Sequence, residues 1–133
     1  MPTDAADIYC TVHKNGTATF LARVIGPSGA PLVPTQVFAA SYSLSLLDDR
    51  EPDARSAVTG HNQVALTVAD VLLPALETGA LWTRDALGYN FRHTLNVSTH
   101  PAFTIAGRRY LLEYRLAPLA GQVILLRFQI HVI

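Results

Sequence analysis

Two adjacent runs near the end of the chain alternate with period two. From Arg109 to Leu116, Tyr110, Leu112, Tyr114 and Leu116 fall at one parity, and Arg109, Glu113 and Arg115 fall at the other. The segment Pro118-Leu119-Ala120-Gly121 interrupts the pattern. It then resumes with Ile124, Leu126, Phe128, Ile130 and Val132 on one side and Arg127, Gln129 and His131 on the other. Two such runs joined by a turn are what an antiparallel hairpin with one buried face requires. A register follows. Setting Tyr114 opposite Leu126 puts Leu112 opposite Phe128, Tyr110 opposite Ile130, and Glu113 opposite Arg127 as an outward pair of opposite charge.

The same period recurs upstream. Between Thr17 and Ile25, Ala18, Phe20, Ala22 and Val24 share a face opposite Thr17, Thr19, Leu21 and Arg23. The cluster Gly26-Pro27-Ser28-Gly29-Ala30-Pro31 ends that run as a turn. From Gln36 to Leu46 the expected inward set is Phe38, Ala40, Tyr42, Leu44 and Leu46, with Ser41, Ser43 and Ser45 outward. Serines at period two suit a strand and are poor in a helix, where they compete for backbone hydrogen bonds. Asp48 to Ser56 reads as a charged loop, and Val64, Leu66 and Val68 as a short strand. Asp70 to Thr78 reads as a single helical or irregular turn crossing between sheets. Asp70 is its expected cap, Pro74 an interruption and Gly79 its close. From Tyr89 to Val97, Tyr89, Phe91, His93, Leu95 and Val97 are expected inward and Asn90, Arg92, Thr94 and Asn96 outward. With Ile8 to His13 as a first strand, the reading is one all-β domain over 1–133. It is an antiparallel β-sandwich of about seven strands with one short helical turn near 70–78. Large inward residues favour two stacked sheets over a barrel.

Charge narrows the function classes. The ten basic and ten acidic residues cancel, and charged residues make up 15% of the chain, against about 25% in typical soluble domains. Half the residues are hydrophobic. Such a surface has little electrostatic protection against association, so part of it is expected to be covered by copies of the chain or by a partner. Arg108-Arg109 is the one adjacent basic pair, and no basic stripe suited to nucleic acid exists. No apolar run approaches the ~18 residues needed to span a bilayer, so no membrane insertion is expected. Met1 to Asp7 holds no basic segment followed by an apolar core. The expectation is synthesis in a cytoplasm, and carriage in a virion if a larger assembly takes the chain out.

Cys10 stands alone within Ile8-Tyr9-Cys10-Thr11-Val12 and reads as a small buried hydrophobe. No pair among His13, His61, His93, His100 and His131 has metal-motif spacing, and His93 reads as a hydrogen-bonded, largely buried histidine. The acids of Asp48-Asp49-Arg50-Glu51-Pro52-Asp53 lack the alternation and central glycine of a calcium loop, and Arg50 and Arg55 supply counter-charge. No Gly-x-Ser-x-Gly elbow is present. The expectation is therefore no enzyme, no cofactor and no metal. Trp82 reads as a plug between the sheets, with an exposed aromatic for a partner as the alternative.

Gly107-Arg108-Arg109-Tyr110-Leu111-Leu112-Glu113-Tyr114, Gly121-Gln122-Val123 and Phe128-Gln129-Ile130-His131-Val132 resemble the closing hairpin of immunoglobulin-like and fibronectin type III-like domains. Gly16 to Val24, with Tyr42-Ser43-Leu44, resembles the N-terminal sandwich domains of phage baseplate and tail proteins. The resemblance spans Gly16 to Ile133. The Cys–Trp–Cys core of antibody domains is absent. The resemblance implies an immunoglobulin-like, non-enzymatic virion or tail structural module that self-associates and meets other structural proteins. The expected contact residues are Leu21, Ser41, Ser43, Ser45, Trp82 and Leu125, near sheet edges and a low-charge outer face. The alternative is a binding module taking a glycan, peptide or ion through loops near Trp82 and Asp48–Asp53.

Overall fold

The computed structural model describes residues 8–26, 29–48, 50–51, 54–119 and 121–133. Within them the strands are β1 (Ile8–Val12), β2 (Thr19–Ala22), β3 (Val37–Leu47), β4 (Arg55–Ala57), β5 (Val64–Leu66), β6 (Leu72–Glu77), β7 (Tyr89–Thr94), β8 (Arg109–Pro118) and β9 (Ile124–Val132). A 3-10 turn at Pro34–Gln36 leads into β3, and the helix α1 spans Val68–Val71. One sheet has the order β1-β9-β8-β3-β4, with β5 also pairing β3, and the other has the order β2-β7-β6. The two pack face to face, so the fold is the expected all-β sandwich.

The alternating hairpin forms in the register read from the sequence. Tyr110 pairs with Ile130, Leu112 with Phe128, Glu113 with Arg127 and Tyr114 with Leu126. Arg127 Nε lies 3.8 Å from Glu113 Oε2 on the outer face. Tyr110, Leu112, Tyr114, Leu116, Phe128, Ile130 and Val132 are all buried. Across the core, the Phe20 ring meets Phe128 at 5.1 Å between centroids and the Phe91 ring meets Tyr114 at 4.6 Å. These contacts join the sheets and remove the largest apolar side chains from water.

The structure corrects several expectations. Nine strands form among the described residues, and one pairing is parallel: β1 lies along β9, Ile8 beside Phe128 through Val12 beside Val132. The helical turn comes earlier than expected. Its N-cap position is Thr67 rather than Asp70, which lies in its first turn, and Leu72–Glu77 is strand despite Pro74. Pro74 is tolerated because β6 is an edge. Arg55 and Ser56, expected in the charged loop, are strand paired with Leu47 and Leu46.

Phe38 points outward and is 67% exposed. A bulge between Val37 and Ala39 shifts the register against β8, so Val37 and Ala40 both face the core. One extra residue on a strand reverses the facing of everything before it. Asn90, expected outward, is fully buried. The β2–β7 ladder ends at Ala22 and Phe91, and beyond it the Asn90 side chain continues the pairing. Its Oδ1 accepts from Val24 N at 2.7 Å, and its Nδ2 donates to the carbonyls of Val24 and Leu32 at 3.0 and 2.8 Å.

Leu44 is fully buried in the middle of β3, so Leu44→Ala should cost about 2–5 kcal/mol. Phe38→Ser, on the same strand, should change stability by no more than about 0.5 kcal/mol. Urea titration of dilute protein compares the two, and equal losses would show that Phe38 is core.

Candidate functional site

Three regions gather the chemistry-bearing side chains. The first lies inside the sandwich. Tyr42 on β3 and Tyr114 on β8 are cross-strand partners on the inner face. His93 reaches over from β7, and its Nδ1 lies 2.7 Å from the Tyr114 hydroxyl. His61 arrives from the segment between β4 and β5, whose backbone docks on β3 through Leu44 N to His61 O at 2.7 Å. The preceding Gly60 has φ +83°, and a Cβ there would fall 2.2 Å from Cγ of His100, so no other residue fits. His61 is buried, with Nδ1 2.8 Å from the Tyr42 hydroxyl and Nε2 2.6 Å from the His100 carbonyl. A carbonyl only accepts, so Nε2 carries a proton, and in the neutral ring Nδ1 accepts from Tyr42. His61 and His93 thus converge on two tyrosines, with the His100 carbonyl holding the far nitrogen of His61, and His93 is hydrogen-bonded and half-buried.

Burial pushes the hydroxyls of Tyr42 and Tyr114 up, Tyr114 further raised by the neighbouring Tyr42 and Cys10. Burial also pushes the His93 imidazole down and the Cys10 thiol up to about 11. Neither phenolate nor thiolate is favoured near neutral pH. The cluster pairs its buried polar atoms with one another through hydrogen bonds.

The second region is the segment from Leu81 to Gly88. Asp85 Oδ1 accepts from Trp82 Nε1 at 3.0 Å, Leu87 N at 3.0 Å and Gly88 N at 3.1 Å. Arg23 Nη1 lies 2.7 Å from Asp85 Oδ2. The Trp82 and Arg23 bonds, with those backbone N–H groups, hold the Asp85 carboxyl well below the usual carboxylate range. Gly88 turns at φ +100° where a Cβ would strike the Glu77 carbonyl at 2.4 Å. The Trp82 ring packs on Tyr89 at 5.6 Å. Trp82 is half-buried rather than a plug in the core. With Leu21 it lines a groove of about 230 Å³ whose other walls include Ile8, Cys10, Phe20 and Phe128.

The third region is the outer face of the large sheet. Ser41, Ser43 and Ser45 do point outward, but β3 lies between β8 and β4/β5, so they occupy the sheet interior and not an edge. Ser41 and Ser43 line a shallow polar depression with Gln63, Glu113 and Arg115, and Ser43 Oγ accepts from Gln63 N at 2.9 Å. Leu125 lies across from Arg115, which pairs in turn with Ser41. Toward the β8–β9 turn the face becomes apolar. Ala39 pairs with Ala117, and Leu119 N donates to Gln36 O at 2.8 Å, which brings the start of β3 beside that turn. Phe38, Leu119, Val123 and Leu125 are 67%, 69%, 39% and 40% exposed there. Of these only Leu125 was expected as a contact residue. Phe38 was assigned to the core because nothing in the sequence marks the bulge.

The loop Asp48–Asp53 is described only in part; Asp49, Pro52 and Asp53 lie outside the described residues. Asp48 Oδ1 accepts from Arg50 N and Glu51 N at 2.7 and 3.0 Å. These two bonds hold its carboxyl below the usual range. Among the described residues no group of three or more His, Cys, Asp or Glu side chains is placed to hold a metal ion, and no helix is long and apolar enough to cross a membrane. Comparison with known proteins gives no matching family model, no matching curated protein and no matching solved structure.

The His93 shift has a definite sign. Its lowered value means that the unfolded chain takes up a proton first, so stability falls as pH drops below about 6.5 toward the folded-state value. His93→Gln, which stays neutral, should lose fewer degrees of Tm between pH 7 and pH 5 than the wild type. Parallel losses in thermal melts would assign the acid sensitivity to another group.

Proposed function

We propose that the chain is a non-enzymatic structural module that associates with copies of itself, of the immunoglobulin-like kind that builds virions and phage tails. The observation that carries the reading is the apolar end of the large sheet's outer face. Phe38, Leu119, Val123 and Leu125 stand exposed beside Ala39 and Ala117. An aromatic amid exposed aliphatics in a chain of low charge is a surface that gains by being covered. The buried histidine–tyrosine cluster supports the non-enzymatic part, since its polar atoms face one another inside the core. The reading also agrees with the resemblance to phage baseplate and tail sandwich domains.

A binding module using the loops near Trp82 and Asp48–Asp53 draws less support. The Trp82 indole N–H is held by Asp85, one of its faces packs against Tyr89, and Asp48 is engaged by backbone N–H groups. The groove beside Leu21 offers a partner mainly apolar walls.

Light scattering over a concentration series tests the proposal. The wild type should form an oligomer whose mass changes little between low and high salt, since apolar burial is weakly screened. Phe38→Asp should weaken association about tenfold or more, the scale of an aromatic anchor. A wild type that stays monomeric at every concentration would overturn the reading.

A further inference from the structure

We propose that β1 is an edge through which two copies join, running antiparallel about a two-fold axis beside Cys10, so that the large sheet continues across the dimer. This rests on the self-association reading above and adds a contact separate from the Phe38 patch.

Sheet edges invite pairing unless they are guarded. The β6 edge carries Pro74, β4 and β5 have three residues each, and β2 has four. β1 reads Ile-Tyr-Cys-Thr-Val, with no charge, proline or glycine. Its inner side is committed to β9: Val12 O accepts from Ile133 N at 3.0 Å, and Lys14 N donates to Ile133 O at 2.8 Å. Strand alternation therefore turns the N–H and C=O groups of Tyr9 and Thr11 away from β9, toward the open edge. Among the described residues no strand pairs with that side. Tyr9 is 72% exposed.

The sequence around β1 is complementary to itself when reversed. Setting Tyr9 opposite Thr11 of the second copy places Ile8 opposite Val12, each twice by symmetry. An aliphatic meets an aliphatic, and an aromatic meets a β-branched residue. Moving the axis by one residue either way sets Tyr9 against Tyr9 or against His13 and loses the aliphatic pair of Ile8 with Val12. Isologous pairing of this kind closes a dimer and leaves the Phe38 patch free for further contacts. Cys10 then faces Cys10 of the second copy at a non-hydrogen-bonded position. Cα atoms there are about 4.5 Å apart, within the span that a disulfide bridges.

The experiment treats the full chain with diamide, which takes two electrons and two protons from a thiol pair, and reads mass with and without reductant. The expected result is a reducible dimer, absent in Cys10→Ser and retained in Phe38→Asp. Thr11→Pro removes an outward N–H that the β1–β9 ladder does not use. It should leave the circular dichroism spectrum in place and abolish the dimer. A wild type that associates, forms no Cys10 dimer and keeps its mass in Thr11→Pro would overturn the edge and leave self-association standing. A monomeric wild type would overturn both.

Discussion

The contact between the Tyr114 hydroxyl and His93 Nδ1 sets the position of one sheet over the other. Tyr114 stands on β8, the middle strand of the large sheet, between Tyr42 and Leu126. The rings of Phe91 and Phe128 pack on it at 4.6 and 5.9 Å. A fully buried hydroxyl without a partner is costly. Its partner comes from β7, so the layers cannot slide without breaking that bond. Apolar packing is tolerant of small shifts, whereas a buried hydrogen bond between sheets is not. The same logic applies at the other end of β7, where Asn90 ties Val24 and Leu32 to the small sheet.

Much of the large sheet was legible in the sequence. The β8–β9 register could be read residue by residue because both strands are long, regular and half-buried, so only one pairing buries every large side chain. The small sheet was harder. Asn90 broke its parity because its amide replaces a stretch of backbone ladder, and that substitution depends on Val24 and Leu32, which are distant in sequence. Phe38 broke its parity through a bulge, a backbone event without a signature in its side chains. β6 was hidden by Pro74, which argues against strand unless the edge position is already known. The contact residues fared in the same way. Ser41, Ser43 and Ser45 face outward as expected, but their place in the sheet interior depends on strand order, which local patterns do not encode.

Scarce charge and a crowded interior are two sides of one allocation. The inner face takes the tyrosines and histidines together with the aliphatics. The outer face takes the ion pair of Glu113 and Arg127 near its centre and leaves its far end apolar. Loops near Asp48 and Asp85 spend their carboxylates on backbone N–H groups.

The parallel pairing of β1 with β9 has a consequence for synthesis. β1 leaves the ribosome before the other described strands, and its partner leaves after them. At about 5–20 residues per second the interval is on the order of ten seconds. Throughout it Ile-Tyr-Cys-Thr-Val is an unpaired, uncharged β-prone segment, while the rest of the large sheet can already assemble around β3 and β8. A nascent chain on a crowded polysome would thus present this segment to its neighbours before its own fold can claim it.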